Sequence, residues 1–183
     1  VAATLGIDRA AVGWRPHHNL LEPPFIYHTL AIIDVRVVIT LLAQKNHFEL
    51  VEWIDEAGFR SAKDQVPFRM RGAAAVRNYP DGYFGLTLPH QTQAAHFFLE
   101  VDQGTMSLTR WKEKVQAYIE FRARGLSEHH YGTRNFRVLT VTMTNQRLNN
   151  LKRASEQAGA DHFFWFTTQA QVDVWNPEQL LQS

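Results

Sequence analysis

Cysteine is absent from all 183 residues. That excludes disulfides, zinc fingers and thiol nucleophiles. An excess of one charge is missing too: 19 basic against 18 acidic residues leave a net +1, which neither demands nor excludes a nucleic-acid partner. No apolar run reads as long enough to cross a bilayer, and the start does not have the form of a signal peptide. These absences predict a soluble, cytoplasmic protein. Repeats and low-complexity runs are lacking as well. What is present is 45% hydrophobic and 12% aromatic residues, enough for one good core, or one domain plus a fragment of another. The first residue is Val1 rather than methionine, so the chain is expected to be a piece of something longer.

Taken in order, residues 1–27 open with a short helix-like piece and turn irregular at "RPHHNLLEPPF". Pro16, Pro23 and Pro24 mark a linker or arm, and the His17-His18 pair reads as solvated loop rather than as metal ligands. "HTLAIIDVRVVITLLAQ" predicts a helix over His28 to Gln44, with Leu30, Ile33, Val37, Val38 and Leu41 as its apolar face. Asp34 interrupts that face, which calls for either a buried arginine partner or a supporting role near a cation. "FELVEWIDEAGF" predicts a strand and then a turn at Ala57-Gly58. Its acids Glu49, Glu52, Asp55 and Glu56 suit a solvated strand edge. Arg69, Arg71 and Arg77 form a loose basic cluster that fits phosphates or nearby acids equally well.

The stretch Tyr79 to Phe121 carries the chemistry. It predicts strand, loop, strand and helix, with Asp81 after Pro80 at the head of the first strand. Glu100 and Asp102 end the second strand, "AAHFFLEVD", two residues apart. Residues i and i+2 of a strand share a face about 6.6 Å apart, close enough for both carboxylates to reach one divalent cation. Packing gives no reason to place two acids at the end of a buried strand. Thr105 or Ser107 fits the N-cap of the helix that follows, which runs to about Arg124 with Leu108, Trp111, Val115, Tyr118 and Ile119 as its buried stripe. Lys112 and Lys114 flank that stripe on opposite edges, and helical geometry alone does not choose between them. Beyond it come a loop "GLSEHHYGTR", a strand "NFRVLTVT", an amphipathic helix ending at Gly159 and a last strand "HFFWFTT". Strands separated by helices predict a parallel arrangement in this half.

This order, with Pro80-Asp81 and Glu100-Val101-Asp102 on central strands, resembles the PD-(D/E)XK restriction-endonuclease fold. It departs from that pattern at Asp102, where the fold usually has lysine. More closely, "LGIDRAAVGWRP", "HTLAIIDVRV", "PDGYF", "FFLEVDQGT", "KVQAY" and "FRVLTVT" resemble the plasmid replication-relaxation family, related to mobilisation relaxases with an endonuclease-like domain. The resemblance implies a three-layer α/β/α core with a mixed central sheet over residues 28–175. It also implies the trailing end of a winged-helix DNA-binding domain, which with a linker takes residues 1–27; residues 176–183 read as a tail. It places the catalytic lysine at Lys114. Asp81, Glu100 and Asp102 are then expected to hold Mg²⁺ or Mn²⁺ through hard oxygen ligands. The metal would polarise a scissile phosphate and activate water, with Lys114 orienting that water or steadying the developing charge. The partner is DNA at a plasmid origin, with other mobilisation or replication proteins, and the reaction is hydrolysis or nicking of one strand. Tyr79, Tyr83 and Tyr118 offer a rival covalent chemistry. Two non-enzymatic readings stand beside these: a catalytically inactive DNA-binding accessory factor at a replication or transfer origin, and a regulator in which this half serves dimerisation.

Overall fold

A computed structural model describes residues 23–61, 68–69, 77–160 and 162–182. The helix-like piece near the N-terminus, His17-His18 and Arg71 lie outside them.

The first helix, α1, spans Pro23–Lys45. It begins five residues before the position expected from the sequence, so the arm anticipated up to residue 27 ends inside it. Pro23 and Pro24 occupy its first turn, where the missing N–H groups have no intrahelical partner to lose. The face it buries also differs from the expected one. Ala31, Val35, Val38, Ile39, Leu42 and Ala43 are buried, whereas Leu30, Ile33 and Val37 are 40–49% exposed. The helix is apolar nearly all round, so periodicity alone does not select a face. The alanines on the buried side let its backbone approach the sheet. Asp34 lies on the exposed side and needs neither a buried arginine nor a cation. By length and composition α1 is long and apolar enough to cross a membrane, contrary to expectation, but its inner face belongs to the protein core.

After His47, whose φ of 57° reverses the chain, β1 runs Glu49–Asp55. Glu49, Glu52 and Asp55 are exposed on it, and Glu56 is partly so. A helical turn, α2 (Glu56–Ser61), stands where a simple turn was expected. Short strands β2 (Phe68–Arg69) and β3 (Arg77–Asn78) pair antiparallel as a separate ribbon. The main sheet continues with β4 (Gly82–Thr87) and β5 (Ala94–Asp102). Then come α3 (Leu108–Ala123), the short helix α4 (Leu126–Tyr131), β6 (Phe136–Thr142), α5 (Asn145–Gln157) and β7 (Phe164–Thr168). α4 occupies the segment read from the sequence as loop.

The five strands form one open sheet in the order β1-β4-β5-β6-β7. β1, β4 and β5 are antiparallel neighbours, while β5, β6 and β7 run parallel, as the alternation of strands and helices predicted. The chain is thus an α/β protein with a mixed open sheet. On one face Phe98, Val138 and Phe164 pack against Trp111, Val115, Tyr118 and Leu151 of α3 and α5. On the other Phe84, Phe97, Leu99, Val101 and Val141 pack against α1 and Leu180. The segment expected to be a tail therefore contributes to the second core. Its 3-10 turns, Pro177–Gln182, also meet α1 through a Lys45–Glu178 ion pair at 3.0 Å.

Candidate active site

The site forms where β5 ends. Asp81 sits just before β4 and is stitched to β5 on both sides of Glu100. Its backbone N–H donates to the Leu99 carbonyl at 3.0 Å, and its Oδ2 accepts from the Val101 N–H at 2.7 Å. Glu100 and Asp102, two residues apart, are both buried at 3% exposure on the face covered by α3 and α5. Their side chains then go to different partners.

Glu100 faces α3. Its Oε2 pairs with the Lys114 ammonium, and its Oε1 accepts from the Tyr118 hydroxyl at 2.7 Å. Ser107 caps α3 by accepting from the Arg110 N–H. One turn before Lys114, Trp111 locks the helix to α5 by donating to the Leu151 carbonyl and Ser155 Oγ. Tyr118 is held by the aromatic cluster around Phe98, whose ring centroid is 5.7 Å away. The lysine at the site is thus set by how α3 is anchored. Lys112, on another side of the helix, reaches out to Gln157 Oε1 at 3.4 Å.

Burial pushes the Glu100 carboxyl up to about 7, with the Asp81 charge adding and Lys114 opposing. Burial alone would lower Lys114, but the carboxylates of Glu100 and Asp81 outweigh it and hold the ammonium above its usual range. Burial, then the Glu100 charge, raises the Tyr118 phenol well above 10.

Asp102 faces α5 instead. Its Oδ2 accepts from Arg147 Nε at 2.6 Å and its Oδ1 from the second guanidinium nitrogen at 3.0 Å. That nitrogen also donates to the Met106 carbonyl at 2.5 Å. Gly104, at φ +80°, lets the chain turn so that its N–H reaches Asp102 Oδ2 at 3.2 Å. A bidentate arginine pair satisfies the charge of Asp102 and fixes the start of α5. A parallel topology brings the end of β5 and the helix after β6 to the same edge, which is the signal that points to Arg147.

The third element at this end was not singled out from the sequence. His28 projects from α1 so that its Nε2 stands 3.1 Å from the Val101 carbonyl and 3.4 Å from Asp81 Oδ2. Its hydrogen bond to Asp81 raises the imidazole pKa above 6.5, against the effect of burial. Only the packing of α1 brings it there, since 53 residues of sequence separate it from Asp81.

Asp81, Glu100 and Lys114 therefore converge, with His28 and Tyr118 at their margins. Among the described residues no group of three or more His, Cys, Asp or Glu side chains is placed to hold a metal ion. Asp102 is the more heavily engaged carboxylate, with Arg147 on both oxygens and the Gly104 N–H also on Oδ2. Asp81 does fit as a donor, beside the Val101 carbonyl that His28 also approaches, with Glu100 near enough to feel its charge and keeping a second lone pair on each oxygen.

Residues 4–138 match the family described as replication-relaxation. The chain belongs to the replication-relaxation family. The matched span covers α1 to the middle of β6 and so includes His28, Asp81, Glu100, Asp102, Lys114 and Tyr118, but not Arg147. No curated protein and no solved structure matches the chain. Membership associates this α/β domain with replication and relaxation of plasmid DNA, and with DNA and replication proteins as partners in general.

Proposed function

We propose that this replication-relaxation protein is a metal-dependent DNA endonuclease that nicks one strand at a plasmid origin, on a core of the PD-(D/E)XK kind. The observation that carries this reading is the buried Lys114 ammonium set against Glu100, beside Asp81, where a central strand ends. Two acids and a lysine on that edge suit phosphodiester hydrolysis, even though the lysine comes from α3 and not from the strand. A bound Mg²⁺ or Mn²⁺ would supply positive charge against the phosphate and acidify a water ligand. Asp81 and Glu100 supply the oxygen donors for it. Lys114, kept charged by those carboxylates, orients the attacking water and stabilises charge on the phosphate oxygens. Tyr118 holds the second oxygen of Glu100 in place. Asp102 is assigned the positioning of α5 through Arg147, in place of the ligand role its spacing suggested.

Hydrolysis is favoured over covalent attack by tyrosine. A phenol attacking phosphorus must give up its proton, and burial raises that cost for both Tyr118 and Tyr83. The accessory-factor reading draws on one observation, the neutralisation of Glu100 and Asp102 by Lys114 and Arg147.

Conversion of supercoiled plasmid carrying the cognate origin to nicked circles in Mn²⁺ tests the choice. Nicking is expected to fall at least a hundredfold in Asp81→Asn and in Lys114→Met, with binding of the same DNA in gel shifts retained. Wild-type protein that binds the origin tightly and never nicks it would establish the accessory factor, and nicking indifferent to both substitutions would remove the proposed centre.

A further inference from the structure

Three polar atoms face one another at the mouth of the site: His28 Nε2, Asp81 Oδ2 and the Val101 carbonyl oxygen. The imidazole nitrogen is 3.1 Å from the carbonyl and 3.4 Å from the carboxylate. Atoms held this close need either a hydrogen on Nε2, donated to the two oxygens, or a metal ion bound by all three. Adjacent donors around an octahedral cation with bonds of about 2.1 Å lie about 3.0 Å apart, so the separations already approach those of neighbouring ligands. The three atoms come from separate parts of the fold: α1, the residue before β4, and the backbone of β5. Val101 is held by both its neighbours, since its N–H donates to Asp81 and its side chain is buried against α1 and the sheet. His28 and Asp81 remain 28% and 14% exposed, which leaves the mouth open to solvent and to an arriving ion.

We infer that His28 is a ligand of the divalent cation, completing with Asp81 and the Val101 carbonyl a nitrogen-containing site that takes Mn²⁺ or another imidazole-binding metal in preference to Mg²⁺. The inference rests on the endonuclease reading for the existence of the metal, and adds both a ligand and a metal class to it. Imidazole suits first-row transition ions, whereas Mg²⁺ demands oxygen and gives up its waters reluctantly. The nitrogen donor also explains why two carboxylates suffice where the third, Asp102, belongs to Arg147. α1 becomes part of the site, not merely the cover of one sheet face.

The test uses Mn²⁺ alone, without DNA. Titration calorimetry measures its affinity, and pulsed electron paramagnetic resonance at one equivalent reads nitrogen coupled to the bound ion. Wild-type protein is expected to bind Mn²⁺ at least tenfold more tightly than Mg²⁺ and to show nitrogen modulation. His28→Gln, checked for folding by circular dichroism, should lose that modulation and about tenfold to a hundredfold of Mn²⁺ affinity, with Mg²⁺ affinity little changed. His28→Glu should recover affinity without nitrogen and move the preference towards Mg²⁺. Nitrogen modulation that survives in His28→Gln, or an unchanged Mn²⁺ affinity there, overturns the assignment. If Mn²⁺ binding depends on Asp81 but never on His28, the endonuclease centre stands and the ligand is wrong. If Mn²⁺ does not bind, or binds equally well to Asp81→Asn, the metal-dependent reading falls with it.

Discussion

Lys114 and Glu100 form an ion pair almost wholly out of water, and that decides how each can be tested. Replacing the lysine alone strands a carboxylate at 3% exposure in a core with little to solvate it. Lys114→Met is therefore expected to lower stability by about 3–5 kcal/mol. Replacing both partners by neutral groups of similar shape removes the stranded charge. The double variant Glu100→Gln/Lys114→Met should recover most of the loss in urea denaturation while remaining unable to nick DNA. Equal destabilisation in single and double variants would mean that the two side chains do not depend on each other. The spacing of Glu100 and Asp102 predicted a shared face, and the structure places both there. It could not tell that one carboxylate turns to α3 and the other to α5, because the choice lies with Lys114, Tyr118 and Arg147. Those partners lie 14, 18 and 45 residues away from the acids they bind.

Among the elements, α1 separates what periodicity can and cannot decide. A helix was legible in its composition, but the inward face was not, because a helix with apolar residues on every side has no clear polar stripe. Truncations distinguish the two faces. Leu42→Ala, at a site 2% exposed, should cost about 2–5 kcal/mol, whereas Ile33→Ala, at 48% exposure, should change stability by about 0.5 kcal/mol or less. Chemical denaturation of the two variants checks this directly, and a larger effect at Ile33 would restore the face expected from the sequence. α3 behaved more simply. Its Ser107 cap and the burial of Trp111, Val115 and Tyr118 follow from local pattern, although Leu108 is 41% exposed and Lys114 takes a place inside.

At the scale of the whole molecule, acid should loosen the sheet through a residue far from the active site. His96 Nδ1 on β5 is hydrogen-bonded to the Tyr83 hydroxyl, 2.6 Å away, and burial lowers its pKa below 6.5, with only the Glu52 charge opposing. The unfolded chain then binds a proton at this residue more readily than the folded one. Its contribution is present in full above about pH 6.5 and is lost as pH falls through the lower folded value. Denaturation midpoints between pH 5 and pH 8 should therefore fall less steeply with acid in His96→Gln than in wild type. Parallel pH profiles for the two proteins would show that His96 does not couple protonation to folding.

The sequence by itself determined the alternation of strands and helices, the parallel half of the sheet, and the placement of Asp81 at the head of one strand with Glu100 and Asp102 at the end of its neighbour. Each of these follows from local periodicity, capping and turn chemistry acting over a few residues. Only the tertiary structure decided which acids meet which cations, which face of α1 is buried, and that the end of the chain packs into the core. It alone brought His28 to the mouth of the site. These outcomes depend on contacts between distant segments, where shape, burial and the pairing of charge in a medium of low polarity choose among partners that are equivalent in sequence.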